Sequence, residues 1–562
     1  MGTSFFIEDF TRLVIAAARD RLTSWGVEEI ADRISLERPA ARGHGDLASN
    51  IAMVSSGVIG RSPRDIAQDL INVFRSDEGL KPFCESIELA GPGFINFFLS
   101  SRALSEAARD ALQAGNNYGG SSIDNPQSIL LEFVSANPTG PLHVGHGRYA
   151  AFGDSLKRIL VFAGHDVHSE FYVNDYGLQM ETFGISLAVR YAEMLGQKIE
   201  FPEDGYQGDY PVHIASLIEK EIGDEMLSEV DPEPSRKAIE FFKKRGCKLV
   251  LDEMRSLLSI FRVEFDQWFS EISLYESGAV PKALNELDKA GEIEVKDGAR
   301  WLRTSRYGDD KDRVLVRGSG EPTYFASDIA YHRQKISRGY DLLINIWGAD
   351  HHGYVPRMKA SFEALSHDPG RLEIIIGQLV NVIEMGERKQ MSKRAGTMVT
   401  LEELIDSIGV DSARFFLVDR SCDSTLDLDL EKAKLKSDEN PVYYVQYAHA
   451  RIHSILRHAK EDGVTSTPNT TCDTIEDPER ELIMKLIEFP GIINNAASTR
   501  GPQRVTAYSR ELAATFHVFY HNCPVIRATT EVASFRLNLC QLTANVIARC
   551  LDLVGVKAPT SM

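Results

Sequence analysis

Short apolar runs recur between residues 126 and 425, and each leads into a polar or glycine-bearing loop and then a stretch of helical periodicity. The clearest runs are Ile129–Val134, Val167–Val173, Leu342–Ile346 and Leu372–Val382. Continuous apolar strands that alternate with helices are typical of a parallel sheet with both faces covered by helices. The pattern therefore predicts an α/β fold built on a parallel sheet.

The regions around this pattern, and one segment inside it, differ in character. Residues 1–115 combine helical periodicity with a short apolar run, which indicates an α+β domain. Residues 178–270 are mostly helical and highly charged, as expected for an insertion between two halves of a sheet, and beyond residue 430 only helical periodicity remains. The stretch at 116–125 is rich in Gly, Ser and Asn, which is typical of a linker. These changes of pattern along the chain predict domains at 1–115, 116–430 and 431–562.

Composition limits the classes of protein to consider. The chain has 562 residues, 43% of them hydrophobic, but no apolar run approaches the roughly 18 residues of a membrane span. Its opening MGTSFFIEDF lacks the pattern of a secretory signal. Seven scattered cysteines without a C-x-x-C pair predict free thiols in the cytoplasm and argue against both disulfides and a zinc module.

The net charge of −19 argues against binding to nucleic acid, because a phosphate backbone attracts Lys and Arg. The charge is unevenly spread, however: residues 440–562 carry +1 and the first 439 residues carry −20. A near-neutral end on an acidic body is compatible with a local nucleic-acid face without requiring one.

A pair of histidines follows the first predicted strand of the sheet, in the sequence SANPTGPLHVGHGR at 135–148, and the helical stretch Tyr149–Ala163 comes after it. His143 and His146 share one face of a helical turn, and a helix N-terminus attracts phosphate. Two imidazoles placed there can donate hydrogen bonds to a phosphate in its transition state, each worth about 3 kcal/mol. The alternatives are ordinary surface or capping histidines, or a metal site, although a zinc protease would carry H-E-x-x-H.

A second motif, QMSKRAGT at 390–397, lies between an apolar strand and a helical stretch that begins at Leu401. Glycine supplies mobility, and Lys393 is a compact charge that can follow a departing pyrophosphate. A solvated basic loop is the alternative for this segment taken alone.

Together the two motifs resemble the signatures of class I aminoacyl-tRNA synthetases, in which an H-x-G-H turn is followed about 250 residues later by M-S-K. Longer stretches resemble the bacterial type of arginyl-tRNA synthetase: HGDLASNIAM, AGPGFINFFL, SANPTGPLHVGHGR, WGADHHGY and NPVYYVQYAHARI, in family order. Gln390 departs from the general pattern, where a first lysine is found, but Lys393 is present. The resemblance implies a Rossmann-type catalytic domain between an N-terminal tRNA-binding domain and an all-α anticodon-binding domain.

The resemblance also implies an activity and a set of site residues. Arginine would attack ATP to give arginyl-adenylate and pyrophosphate, and the arginyl group would then pass to tRNA. ATP is a substrate, Mg²⁺ is expected with it, and no structural metal is expected. His143, His146 and Lys393 would be catalytic. The expected ATP-binding residues are these three with Pro138, Gly140, Gly145, Gly348, Asp350, Met391 and Ser392. The expected arginine-binding residues are Glu132, Asn137, Glu271, Tyr324, Asp328, His352 and Gln378.

The implied partners are tRNA(Arg), arginine and ATP, with no membrane, and we expect a monomer. Tyr443, Tyr447 and Arg451 are candidates for tRNA contacts, because aromatic rings and Arg stack on unpaired bases. Aromatic residues at this helical spacing are alternatively core. The chain end at Met562 is a further candidate, although Thr560-Ser561 replaces the charged pair that often precedes it in the family.

Three rival functions remain open at this stage. A ligase of the same class could use another amino acid, such as cysteine, but a zinc-type cysteine cluster is absent from the sequence. A silent paralogue could bind RNA only. A metal hydrolase could use His143 and His146 as ligands.

Overall fold

Helices and strands alternate along most of the chain in the computed structural model, which describes residues 5–39, 42–121, 123, 125–389 and 399–562. The helices are α1 (Phe6–Ser24), α2 (Ile51–Ile59), α3 (Pro63–Ser76), α4 (Ser101–Ala114), α5 (Val144–Ala163), α6 (Leu178–Met194), α7 (Asp209–Ile222), α8 (Leu227–Val230), α9 (Arg236–Ile260), α10 (Ile272–Glu276), α11 (Ala279–Lys289), α12 (Tyr324–Ser337), α13 (Val355–Ala364), α14 (Leu401–Val418), α15 (Leu430–Lys434), α16 (Pro441–Glu461), α17 (Asp477–Ile487), α18 (Phe489–Ser498), α19 (Gln503–Asn522) and α20 (Thr530–Leu553). The strands are β1 (Leu36–Glu37), β2 (Leu47–Ser49), β3 (Cys84–Ala90), β4 (Phe94–Leu99), β5 (Ser128–Glu132), β6 (Asp166–Val173), β7 (Gln267–Ser270), β8 (Ile293–Lys296), β9 (Ala299–Leu302), β10 (Arg313–Val316), β11 (Leu342–Gly348), β12 (Leu372–Gly377), β13 (Val380–Glu384), β14 (Glu387–Arg388) and β15 (Leu426–Asp429).

The predicted parallel sheet forms, with the strand order β12-β11-β5-β6-β7 and every neighbouring pair parallel. In the central strand β5, Ile129, Leu130 and Leu131 are fully buried, as its unbroken apolar run requires. The chain leaves β5 through α5 to β6 on one side, whereas β11 lies on the other side of β5. Ligands bind at such a switch in strand order, beyond the carboxyl ends of the strands.

Three boundaries differ from the sequence-based predictions. The apolar run Leu372–Val382 is two strands in different sheets, because β13 pairs with β14 and β15 instead of continuing β12. The predicted insertion at 178–270 is helical through α9 but ends in β7, an edge strand of the parallel sheet whose short sequence QWFS carries little apolar signal. Helix α5 begins at Val144 instead of Tyr149, because a histidine side chain caps it.

The two ends of the chain pack against each other. Strands β1-β2-β4-β3 form an antiparallel sheet whose core includes Phe10 and Phe97, with ring centroids 5.3 Å apart. Asp46 on this side pairs at 2.8 Å with Arg480 of α17. The stretch predicted as a linker is docked as well: Tyr118 is buried and its hydroxyl donates to the carbonyl of Leu486 at 3.0 Å.

A buried arginine holds α5 in place. Arg414 of α14 is fully buried, forms an ion pair with Asp154 of α5, and donates to the carbonyls of Phe261 and Val554 at 2.9 Å each. A buried guanidinium needs this number of acceptors to offset its lost hydration. Helix α5 is thereby fixed to α14 and to the carboxyl-terminal end of the helical region.

Candidate active site

The first turn of α5 is built from the two predicted histidines. His143 is the N-cap, and its Nδ1 accepts hydrogen bonds from the backbone N–H groups of Gly145 at 3.1 Å and His146 at 3.3 Å. In return, Nδ1 of His146 accepts from the backbone N–H of His143 at 3.3 Å. Because Nδ1 is the acceptor in both neutral rings, each ring carries its proton on Nε2. The rings stack with centroids 3.6 Å apart.

The chain returns to this turn directly after the second motif. The backbone N–H of Val144 donates to the carbonyl of Val399 at 3.0 Å, and that of Leu401 donates to the carbonyl of Leu142 at 2.8 Å. Gly147 allows this approach, since a Cβ there would lie 2.7 Å from a methyl carbon of Leu401. The predicted residues Met391, Ser392 and Lys393 lie outside the described residues.

The carboxyl ends of β11 and β12 meet the same helix through Tyr149. Its hydroxyl donates to the carbonyl of Gly377 at 3.1 Å, and its ring lies where a side chain at Gly377 would point. Gly348 ends β11 close to the same hydroxyl, and Asp350 just beyond it is exposed. Sequence analysis did not identify Tyr149 as part of this contact.

Other predicted nucleotide and substrate residues lie around this edge of the sheet. Arg148, which directly follows the histidine motif, is fully buried and donates to the carbonyl of Gln378 at 3.0 Å, so it supports the turn after β12. Pro138 is buried and Gly140 half-buried in the loop before α5, whereas His352 is exposed beyond β11.

The predicted residues Glu271 and Asp328 form a pair of carboxylates, here called the slot, in which the charge of Asp328 acts on Glu271. Glu271 follows β7 and is 2% exposed; burial, with the charges of Asp328 and Asp175, raises its pKa to about 8. Burial also raises the pKa of Asp328 on α12 to about 6, against the opposing effect of the Tyr354 hydroxyl bonded to it. Burial and the neighbouring negative charge make the ionised forms of both carboxyls unfavourable. A cation bound between the two carboxylates offsets this effect and is therefore favoured.

Glu132 has a different environment from the slot. It lies at the end of β5, where one oxygen pairs with the fully buried Lys335 and the other accepts from the hydroxyl of Ser135 at 3.0 Å. Lys335 also donates to Asn345 of β11 at 3.0 Å. The charge of Glu132 is therefore compensated within the protein, whereas the charges acting on Glu271 are those of other carboxylates.

Two further predicted residues lie at the surface, one on the helix that carries Asp328 and one in the loop after β5. Tyr324 begins α12, is 57% exposed, and places its hydroxyl beside Gly177. Asn137 is exposed in the loop after β5. Sequence analysis missed Tyr172, on which the charge of Glu271 acts, and Asp175, which accepts from the Ser270 hydroxyl at 2.5 Å. The signal for Asp175 was available in the polar sequence that follows the buried strand β6.

Family models match the chain in sequence order over nearly its whole length. The model described as "Arginyl tRNA synthetase N terminal domain" matches residues 11–99, and "DALR anticodon binding domain" matches residues 445–562. The model described as "tRNA synthetases class I (R), catalytic domain" matches residues 108–452, which is more than half of the chain. The chain belongs to the arginyl-tRNA synthetase family.

Curated relatives and solved structures agree with this assignment. The chain is 44% identical over 531 residues to "Arginine--tRNA ligase" of Bacillus subtilis, covering 94% of each chain, and 46% identical over 532 residues to that of a Geobacter species, covering 94% and 95%. It is 36% identical to a putative arginyl-tRNA synthetase structure from Campylobacter jejuni, with a TM-score of 0.76 over 83% of this chain and 100% of that one. The arginyl-tRNA synthetase of Thermus thermophilus shares the fold, with 23% identity and a TM-score of 0.77 over 99% of this chain and 100% of that one.

These matches confirm three predictions: the family that the motifs resemble, the α/β class I fold with a helical carboxyl-terminal region, and an ATP-dependent enzyme that ligates arginine to tRNA. They also show that the alternatives of a cysteine ligase and a metal hydrolase are wrong. Among the described residues, no group of three or more His, Cys, Asp or Glu side chains is arranged to hold a metal ion. None of the helices described is long and apolar enough to cross a membrane.

In this synthetase the predicted tRNA-binding aromatic residues of α16 lie outside the core. Tyr443 and Tyr447 stack with ring centroids 6.3 Å apart, and Tyr447, which is 42% exposed, also stacks on His517 of α19 at 6.2 Å. Arg451 is exposed and lies 5.2 Å over the ring of Tyr520. His517 and Tyr520 were missed by sequence analysis, because their contact with α16 is made only by helix packing.

The chain end lies along the same helix. The carbonyl of Pro559 accepts from His449 at 2.8 Å, and the carbonyl of Thr560 accepts from Arg457 at 3.1 Å. Met562 follows and is 56% exposed. The terminal residues of this synthetase are therefore held on the helix that carries the exposed tyrosines.

Proposed function

We propose that arginine is activated at the carboxyl edge of the parallel sheet, with the phosphates of ATP at the His143–His146 turn and the guanidinium between Glu271 and Asp328. The observation that carries this assignment is the carboxylate pair, since Glu271 follows β7 at the same edge of the parallel sheet at which α5 begins, and a helix N-terminus suits phosphate. The remaining ATP contacts would be Pro138, Gly140, Gly145, Gly348, Asp350, Met391 and Ser392. The remaining arginine contacts would be Asn137, Tyr324, His352 and Gln378, with Glu132 near them.

In the first step, a carboxylate oxygen of arginine attacks the α-phosphorus of ATP, and the bond to the departing pyrophosphate breaks. Nε2–H groups of His143 and His146 donate to phosphate oxygens as their charge increases, and the α5 dipole adds to this stabilisation. Lys393 would accompany the pyrophosphate as a compact cation, and Mg²⁺ would enter on the phosphates of ATP. In the second step, a ribose hydroxyl of tRNA attacks the arginyl carbonyl and AMP leaves.

Selection of arginine follows from the shape and charge of the slot. Two carboxylates match the planar five-donor guanidinium, whereas the ammonium of lysine is a point charge and citrulline is neutral. A substrate that leaves buried carboxylates unpaired is rejected far more strongly than one that lacks a methylene group. We therefore propose that this enzyme discriminates without an editing reaction.

Several broader assignments accompany this proposal. The domains would be residues 1–115, 116–430 and 431–562, of which the first and third would bind tRNA(Arg). The exposed aromatic surface of α16 supports the third, with Tyr443, Tyr447, Arg451 and Met562 as contacts. We further propose a cytoplasmic monomer.

An aminoacylation assay across the twenty amino acids, with ATP and tRNA(Arg), tests the assignment. Only arginine should be attached to tRNA, with release of AMP and pyrophosphate. ATP–pyrophosphate exchange should be measured with tRNA present, because members of the family often require bound tRNA for activation. Lysine attached as efficiently as arginine would contradict the proposed slot.

Arginine binding is expected to weaken as the pH falls. Glu271, with a pKa of about 8 in the free enzyme, must lose a proton to pair with guanidinium. Below pH 8 each unit should therefore weaken binding about tenfold, and protonation of Asp328 steepens this below pH 6. Calorimetry in buffers of different ionisation enthalpy should detect proton release on binding. A pH-independent affinity between pH 6 and 8 would contradict the expectation.

Truncation of Tyr447 to alanine is expected to raise the KM for tRNA about tenfold. An exposed ring that stacks on a base contributes about 1–3 kcal/mol. The KM for arginine should not change when tRNA is saturating, because the ring lies on α16 and not at the sheet edge. The control is Val518→Ala, an exposed apolar residue on α19. Equal KM values for tRNA in Tyr447→Ala and the wild type would remove this residue from the proposed interface.

A further inference from the structure

The hydroxyl of Tyr354 joins two separate elements of the catalytic region by binding the carboxylate of Asp328. Tyr354 ends the turn Ala349–Tyr354 that follows β11, and Asp328 lies on α12. The hydroxyl donates a hydrogen bond to Oδ2 of Asp328. Tyr354 is the last residue of the WGADHHGY stretch, and sequence analysis gave it no role. A hydroxyl that is bound to one half of the slot therefore still needs a function.

The position of this hydroxyl is fixed by the packing of its ring. The ring of Tyr354 is half-buried and meets the ring of Phe325 edge-on, with centroids 5.9 Å apart, and that of Trp347 at 6.0 Å. The guanidinium of Arg357, on α13, lies 4.6 Å from the ring centroid. A cation is attracted to an aromatic face, and its positive charge makes the phenol a stronger hydrogen-bond donor. The hydroxyl is therefore both held in place and a strong donor.

The hydrogen bond opposes the main effect of the surroundings on Asp328. Burial raises the pKa of Asp328 to about 6, and the Tyr354 hydroxyl has the largest of the effects that lower it. The other ionisable groups that act on this carboxyl, or that respond to its charge, come from the elements packed around it and are Glu132, Tyr172, Glu271, Tyr275, Lys335 and His351. Loss of the hydroxyl would therefore favour the protonated form of Asp328.

Recognition of a guanidinium requires a particular geometry as well as a negative charge. A guanidinium is planar, and its N–H groups pair best with a carboxylate that lies in the same plane. A carboxylate that rotates freely loses conformational entropy when a ligand aligns it, whereas a carboxylate that is already aligned does not. Because Tyr354 binds Oδ2, rotation of the half-buried Asp328 carboxylate is restricted, and Oδ1 is the oxygen left for a substrate.

We propose that Tyr354 is a positioning residue for arginine recognition, whose hydroxyl fixes the plane of the Asp328 carboxylate so that Oδ1 meets the guanidinium. The same hydrogen bond keeps Asp328 ionised before the substrate binds. Arg357 supports this role through its contact with the ring. Tyr354 thus acts on arginine through Asp328, and this inference rests on the proposed arginine site.

The substitution Tyr354→Phe tests this role, because it removes the hydroxyl and keeps the ring. Aminoacylation at varied arginine should give a KM for arginine about tenfold or more above the wild type at pH 7, since a hydrogen bond to a charged group is lost. The kcat should stay within threefold and the KM for ATP within twofold. The control is Tyr210→Phe, which removes a hydroxyl that donates to Glu253 at 3.0 Å between α7 and α9 and should leave all three values within twofold.

The pH dependence distinguishes this role from a purely structural one. The ratio of the KM for arginine in Tyr354→Phe to that in the wild type should grow as the pH falls from 8.5 to 6. The reason is that Asp328 without its hydroxyl donor takes up a proton at a higher pH than it does in the wild type. Protonation of Glu271 occurs in both proteins and cancels in the ratio. A ratio that is equal at the two pH values would overturn the inference.

A double-mutant cycle with Asp328→Asn shows whether Tyr354 acts through this carboxylate. In the Asp328→Asn background, Tyr354→Phe should change the KM for arginine less than twofold. The inference is overturned by a further tenfold loss in that background, or by a KM for arginine in Tyr354→Phe alone that stays within twofold of the wild type. If Asp328→Asn by itself leaves arginine recognition unchanged, the proposed arginine site is wrong.

Discussion

Replacement of His146 by alanine is expected to slow formation of arginyl-adenylate about 100-fold or more. The imidazole presents an Nε2–H donor at the N-terminus of α5, and loss of one donor to developing charge costs about 3–4 kcal/mol. ATP–pyrophosphate exchange with tRNA and arginine saturating measures this step. The change should appear in kcat, because the donor acts mainly on the transition state.

Capping must be separated from catalysis in this experiment. His146 also accepts from the N-cap backbone, and loss of a capping interaction costs about 1 kcal/mol of the free energy of unfolding. Chemical denaturation should therefore show a small stability change beside the large kinetic one. His213→Ala, at an exposed histidine of α7, is the matched control. If the exchange rate of His146→Ala stays within twofold of the wild type, the two histidines cap the helix and do not stabilise the transition state.

Replacement of Glu271 by glutamine is expected to lower kcat/KM for arginine between about 30-fold and several thousand-fold. The change removes one charge of the pair and places an amide N–H against the guanidinium, and loss of a buried charge partner costs about 2–5 kcal/mol. Asp328→Asn should act in the same direction. Steady-state aminoacylation at varied arginine measures the effect, while the KM for ATP should change little.

A control for this substitution lies on the same short helix. Glu276 ends α10 and is exposed, so Glu276→Gln makes the same chemical change away from the slot and should leave kcat/KM for arginine within twofold. Glu271→Gln should also flatten the pH dependence of arginine binding between pH 6 and 8, since its proton is then absent. Unchanged kcat/KM for arginine in Glu271→Gln would refute guanidinium recognition by this pair.

Much of the fold was predictable because its signals are local. The buried strands β5, β6 and β11 are unbroken apolar runs, and each was predicted within two residues at both ends. The failures have two different causes. Strand β7 is too short to produce a pattern, and the division of 372–382 into two strands depends on the pairing of β13 with β15, which lies further along the chain.

The sequence by itself determined the elements, the family and the chemical character of the histidine turn, because periodicity, capping and contiguous motifs are properties of neighbouring residues. Only the tertiary structure decided that Glu271 and Asp328 share one slot while Glu132 is neutralised by Lys335. It also placed His517 of α19 beside Tyr447 of α16. The physical reason is that charge coupling, burial and ring stacking depend on distances in space, which separation along the chain does not encode.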